Sequence, residues 1–155
     1  MKIIAPGSPI LLADDDADLA ELVGIAFKKL GVPVSLSWVA DGEEAVLYLK
    51  GEARYADRLA FPFPHLVLLD LRLPKMNGFR VLRWIRNRSR TPRLPVVVLA
   101  GSTRETDISY AYSLGANSFV SKPENFHDLL EQLRQIADYW LDLAVLPSDP
   151  ERLAA

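Results

Sequence analysis

The chain has 155 residues, 50 % of them hydrophobic, with no cysteine and a formal net charge of −2. That length and apolar content suit one domain with a proper core, and they exclude a disordered chain, a disulfide framework and thiolate chemistry. No apolar stretch approaches a membrane span and the N-terminal MKIIAPGSP lacks a signal-peptide core, so a cytoplasmic protein is expected.

Charge is unevenly spread. Residues 71 to 93 hold eight basic side chains (Arg72, Lys75, Arg80, Arg83, Arg86, Arg88, Arg90, Arg93) and no acid, which leaves the remainder at −10. Such a stretch is either a solvated face or a docking surface for an acidic partner. No interleaved base-stacking aromatics and no helix-turn-helix signal argue for nucleic acid.

In chain order, residues 9–13 read as a first strand, followed by the acidic cluster Asp14-Asp15-Asp16. Leu19, Leu22, Val23, Ala26, Phe27 and Leu30 then recur at helical spacing, with Gly31 placed as the C-terminal cap. Asp16 suits an N-terminal helix cap better than a ligand. Val34, Leu36 and Trp38 alternate as a second strand, and Asp41-Gly42 turns into a helix carrying Ala45, Val46, Tyr48 and Leu49. The connection over 51–64 holds Tyr55, Phe61 and Phe63, and so reads as ordered.

Next comes the stretch around which the chain is organised, HLVLLDLRLPKMNG over 65–78. Residues 66–69 form an unbroken apolar run, a fully buried strand that ends abruptly in Asp70. Leu73-Pro74 and Asn77-Gly78 are turn signals before a third helix, with Phe79, Leu82 and Ile85 inward and its arginines outward. Residues 94–99 read as strand four, 104–114 as a helix ending at Gly115-Ala116, and 117–121 as strand five before Lys122-Pro123. The last helix carries Phe126, Leu129, Leu130, Leu133, Ile136, Ala137, Trp140 and Leu141, and Pro147 and Pro150 end it.

Five strands alternating with five helices through short crossovers imply an α/β fold, a doubly wound parallel sheet. One domain is expected over 1–155, with its core over about 9–143 and a short tail over 144–155. In such a sheet the carboxyl ends of the strands share one edge. That edge collects Asp14, Asp15, Asp70, the small residues Ala100, Gly101 and Ser102, and Lys122. Crowded carboxylates repel unless a cation sits among them, and a hard divalent ion, Mg²⁺, suits oxygen ligands with several waters. Lys122 supplies a compact cation for an anionic oxygen, and small residues let backbone N–H groups approach it. Together these describe a phosphoryl-binding site.

DDD after strand one, LLDLRLPKMNG around strand three and VSKP after strand five resemble the receiver domain of two-component response regulators, a flavodoxin-like fold. The resemblance runs from about residue 9 to 143. EEAVLYLKGEARYADR, AYSLGANSFVSKP and the Tyr139-Trp140 helix end are similar to stand-alone regulators associated with bacterial phytochrome kinases. The resemblance implies that Asp70 is the phosphoacceptor, taking a phosphoryl group from a sensor histidine kinase. It implies that Asp15, Asp70 and the backbone carbonyl of Arg72 ligate Mg²⁺, with Asp14 acting through water. Lys122 matches the lysine that pairs with the phosphoryl oxygen, Gly101 a phosphoryl contact, and the Lys122-Pro123 bond is often cis in this family.

One departure from the family matters. Counting back from Lys122 and on from Pro95 places Ala100 where receivers carry a switch Thr or Ser, and the coupled aromatic position falls on Phe119; neither has a hydroxyl. Ser102 lies near enough in sequence to substitute. The expectation is a phosphoacceptor with weakened switching. The alternatives are a pseudo-receiver that serves as an interaction module, and a Mg²⁺-dependent phosphohydrolase, against which Arg72 occupies the position of the needed acid/base carboxylate. His65 and His127 have no partner at metal-ligand spacing. Tyr110, Tyr112 and Leu114 on the fourth helix, strand five and the Tyr139-Trp140-Leu141 end suggest a self-complementary homodimer face.

Overall fold

The computed structural model describes residues 7–147. The first six residues, and Pro150 with the rest of the tail from 148, lie outside the described residues. The elements alternate as read: β1 (Ser8–Ala13), α1 (Ala17–Leu30), β2 (Val34–Val39), α2 (Gly42–Lys50), β3 (Leu66–Leu69), α3 (Gly78–Asn87), β4 (Val96–Ala100), α4 (Glu105–Ser113), β5 (Ser118–Ser121) and α5 (Phe126–Ala137). The strands form one sheet in the order β2-β1-β3-β4-β5, all parallel. Ala13 aligns with Leu69 across β1 and β3, so the two carboxylate-bearing strands end level and side by side.

Both faces are covered. Ile10, Leu12, Leu66, Leu68 and Val97 pack against α1 and α5, while Leu11, Leu69, Val96 and Val98 pack against α2, α3 and α4. Every residue of β3 is fully buried, at about 1.5–3 kcal/mol for each large aliphatic side chain removed from water.

Local chemistry sets the helix boundaries. Asp16, Asp41, Asn77 and Asn125 cap the N-termini of α1, α2, α3 and α5 through side-chain oxygens that accept backbone N–H bonds. Gly31 and Gly51 close α1 and α2 in left-handed conformations, at φ 69° and 67°.

The 51–64 connection is ordered, with a short 3₁₀ turn at Ala53–Tyr55. Tyr48, Tyr55 and Phe61 cluster at ring separations of 5.0–6.1 Å. Arg58 donates to the carbonyls of Tyr48, Leu49 and Phe61 at 2.8–3.2 Å, satisfying the open end of α2.

Four expectations need correction. Leu22 is 40 % exposed; the buried stripe of α1 is Val23, Ala26 and Phe27, because Leu22 falls on the edge of the arc that faces the sheet. Phe79 is only half-buried, its ring lying 4.9 Å from that of Tyr110. Arg86 does not point outward. It turns under α3 to donate to the carbonyls of Gly115, Pro92 and Leu94 and to Asn117 Oδ1, and its burial lowers its pKa from the ordinary guanidinium value. No cis peptide occurs among the described residues, so Lys122-Pro123 is trans.

Gly78 sets the position of the β3–α3 turn. A Cβ there would lie 2.2 Å from the backbone oxygen of Asp70, whereas a Cβ on Gly101 would meet nothing within 4 Å. Gly78→Ala is expected to destabilise the chain by ~1–3 kcal/mol through overpacking, and Gly101→Ala by less than ~0.5 kcal/mol. Urea unfolding checks both values.

Candidate functional site

The site is assembled from residues that stand just past the strand ends. The sheet ladder continues for one residue beyond three strands: the N–H groups of Asp14, Asp70 and Lys122 donate to the carbonyls of Val39, Ala13 and Ala100 at 3.1, 2.9 and 2.8 Å. The backbones of the two acids and the lysine are therefore fixed by the sheet itself, although Lys122 lies 52 residues beyond Asp70.

Lys122 reaches across the end of β4 to both acids. Its Nζ donates to Asp70 Oδ2 at 3.2 Å and lies 3.0 Å from Asp14 Oδ2 as an ion pair. Asp14 is fully buried and Asp70 is 4 % exposed. Asp14 Oδ1 accepts the N–H of Asp16, and Asp70 Oδ1 accepts the N–H of Arg72 at 3.3 Å. Asp15 sits exposed at the rim, and one carboxylate oxygen from each of Asp14, Asp15 and Asp70 lies within 4.8 Å of the others.

The electrostatics follow from this crowding. Burial raises the pKa of Asp14 above 3.8, and the charge of Asp70 adds to the rise; the Asp16 N–H and Lys122 offset only part of it. Burial alone would lower the pKa of Lys122, but its contacts with Asp14 and Asp70 outweigh that and raise it, so the amine stays charged.

Among the described residues, Asp14 Oδ2 is buried and forms an ion pair with Lys122 but no hydrogen bond. A hard divalent cation takes carboxylate oxygens as ligands, so an under-satisfied oxygen beside two further carboxylates fits such an ion.

An open cleft of about 410 Å³ lies over these groups, lined by Asp15, Asp70, Arg72, Gly101, Ser102 and Lys122. A neighbouring hollow of about 250 Å³ runs from Asp70 past Ala100 to Phe79, Arg104 and Asp107. Ala100 is the last residue of β4 and is buried. Phe119 on β5 is half-buried against the same core layer. Ser102 lines both hollows, but its hydroxyl is already engaged, donating to Asp107 Oδ2 at 3.0 Å while accepting the N–H of Arg104. Asp107 also pairs with Arg104 at 3.5 Å. Sequence reasoning named Ser102 but passed over Arg104 and Asp107, although an acid in the first turn of a helix is a standard cue for local capping interactions.

A family model described as the response regulator receiver domain matches residues 10–134. The chain belongs to the response regulator receiver family. This receiver is 41 % identical over 132 residues to the probable methanogenesis regulatory protein FilR2 of Methanothrix harundinacea, covering 85 % of this chain and 83 % of that protein. It is 34 % identical to the response regulator Rcp1 of Synechocystis over 92 % of this chain and 95 % of Rcp1. The phosphorylated cyanobacterial phytochrome response regulator RcpA superposes with a TM-score of 0.83 at 37 % identity, covering 92 % of this chain and 99 % of that one. Rcp1 has been solved in an Mn(2+)-bound form. Receivers bind a divalent metal through acidic residues and interact with sensor kinases. Among the described residues of this receiver, no helix is long and apolar enough to cross a membrane.

The folded-state pKa of Asp14 lies above its unfolded value. Its contribution to stability is therefore complete below the unfolded value and is lost as pH rises through the folded one. In metal-free buffer, Asp14→Asn is expected to gain stability relative to the wild type as pH rises from about 4 to 7. Paired urea titrations across that range measure the difference, and a wild type that gains on the variant contradicts the assignment.

Proposed function

We propose that Asp70 of this receiver accepts a phosphoryl group from the phosphohistidine of a sensor kinase in a Mg²⁺-dependent reaction. The observation that carries this reading is the contact of Lys122 Nζ with both Asp14 and Asp70, with Asp70 lining the open cleft. Asp14, Asp15, Asp70 and the Arg72 carbonyl would hold the ion. When bound, it supplies positive charge that offsets the carboxylates and the incoming phosphoryl oxygens. A carboxylate oxygen of Asp70 attacks phosphorus, the bond from phosphorus to the kinase imidazole breaks, and an acyl phosphate forms. Lys122 turns its charge to a phosphoryl oxygen, and the N–H of Gly101 lies on the same rim to donate. Asp70 is thus a phosphoacceptor that takes and loses the group, with no further substrate turned over.

The similarity to Rcp1 and to the phytochrome response regulator RcpA supports a phytochrome-type kinase as partner. A homodimer through α4, β5 and α5 is the output we infer. Tyr110 and Tyr112 on α4 and Tyr139 in the helical turn just past α5 are 42–49 % exposed, and Tyr139 and Trp140 line a hollow with Asn117 and Ser118.

Ala100 and Phe119 favour a second reading, a pseudo-receiver without a phosphorylation switch. Neither side chain can hydrogen-bond a phosphoryl oxygen, and the Ser102 hydroxyl is already bonded to Asp107. Beryllofluoride titration separates the two. Mg²⁺-dependent binding that Asp70→Asn abolishes, with a change in oligomer size, supports the switch; no binding supports the pseudo-receiver. Ala100→Thr is expected to enlarge the beryllofluoride-dependent shift in the dimer equilibrium, read by analytical ultracentrifugation. An unchanged shift contradicts the weakened-switch reading.

A further inference from the structure

Apart from Arg72, the basic stretch after Asp70 plays no part in the site. Of its eight cations, Arg72 lines the cleft, Lys75 pairs with Asp41 at 3.7 Å, Arg83 donates to the Tyr110 hydroxyl and Arg86 is turned inward. Arg90 and Arg93 are engaged in contacts of their own, which leaves Arg80 and Arg88, exposed on the outer face of α3. Among the described residues neither has an acidic partner within ion-pair distance. Between them lie two half-buried apolar side chains, Met76 and Trp84. Met76, Arg80, Arg83, Trp84 and Arg88 border one hollow of about 370 Å³, and Trp84 and Arg88 also border a second of about 320 Å³. Glu52, the acid on the rim of the second hollow, lies 3.8 Å from Lys50.

Folding alone does not account for this face. Arg80 sits at the positive end of the α3 dipole, with no acid in the first turn to offset it. Arg80 and Arg83 are like charges at i,i+3, a spacing that destabilises a helix. The composition is also particular: seven of the eight cations over 71–93 are arginine, whereas the rest of the chain has lysine and arginine five each. Arginine, tryptophan and methionine are enriched where proteins bind proteins, and lysine is depleted there. A nucleic-acid surface would need more than one such aromatic to stack bases along a phosphate track.

We propose that the outer face of α3 is a docking site for an acidic protein segment that also carries apolar side chains. The acids meet Arg80, Arg83 and Arg88, and an apolar side chain packs against Trp84 and Met76. The face lies between α2 and α4, on the side of the sheet opposite α1 and α5. It begins beside Asp70 and runs toward the opposite sheet edge, so an occupant leaves the cleft open.

The test is an NMR titration of the full chain with three defined probes. These are a short acidic peptide with interspersed leucines, the same peptide with each leucine replaced by serine, and a short DNA duplex. The leucine peptide is expected to shift α3 amides and the Trp84 indole. It should bind about tenfold more tightly than the serine peptide and more tightly than DNA. The paired reversal Arg80→Glu with Arg88→Glu, on two exposed side chains, should abolish that binding while leaving the rest of the spectrum in place. Equal affinity for the two peptides makes the face a bare charge patch and overturns the proposal. Tighter binding of DNA, shifts outside α3, or no binding of the leucine peptide at low salt overturns it as well.

Discussion

The structure depends on one ammonium group held between two buried carboxylates. Removing three ionised groups from water is costly unless they compensate one another, and here the lysine Nζ stands 3.0 and 3.2 Å from oxygens of Asp14 and Asp70. The three backbones are held by the sheet ladder. The compensation therefore works only if β1, β3 and β5 end level, which a parallel sheet in the order β2-β1-β3-β4-β5 provides. The buried hydrophobic runs are in this sense the scaffold of a charge arrangement, and the arrangement still leaves one Asp14 oxygen without a hydrogen bond.

What the site lacks bears on its function as much as what it holds. The Ala100 methyl gives β4 a buried end with no polar reach, and Phe119 presents a ring without a hydroxyl. Ser102, the neighbouring hydroxyl, is bonded into the first turn of α4. On the proposed reading, binding chemistry and response chemistry would sit on different residues: the acids and lysine that would receive charge are present, whereas Ala100 and Phe119 offer no hydroxyl to draw the β4–α4 loop toward it.

Much of this was legible in the sequence where one physical effect dominates. Apolar runs of four to six residues identified β1, β3 and β4, and short polar residues before helical stripes placed the cap at Asp16 and the turns into α2 and α3 at Asp41-Gly42 and Asn77-Gly78. The site followed because in a parallel sheet the residues after each strand share an edge. Reading failed where a side chain had two favourable fates. Arg86 resembles its solvated neighbours in composition, yet it satisfies carbonyls beneath α3, and nothing in local sequence marks a guanidinium for burial. Leu22 obeys helical periodicity, yet it falls outside the buried arc of Val23, Ala26 and Phe27. The roles of Arg58 in closing α2 and of Asp107 in holding Ser102 depend on contacts formed only when distant segments meet.

The central claim is that Asp70, poised by Lys122, is the side chain that takes up the phosphoryl group. Its most direct test is to incubate the chain with acetyl phosphate and Mg²⁺, reduce any acyl phosphate with borohydride, and map the product by peptide mass spectrometry. The account predicts homoserine at position 70 and at no other aspartate, with the yield collapsing in Lys122→Ala. Reduction at another residue, or an undiminished yield without the lysine, would contradict it.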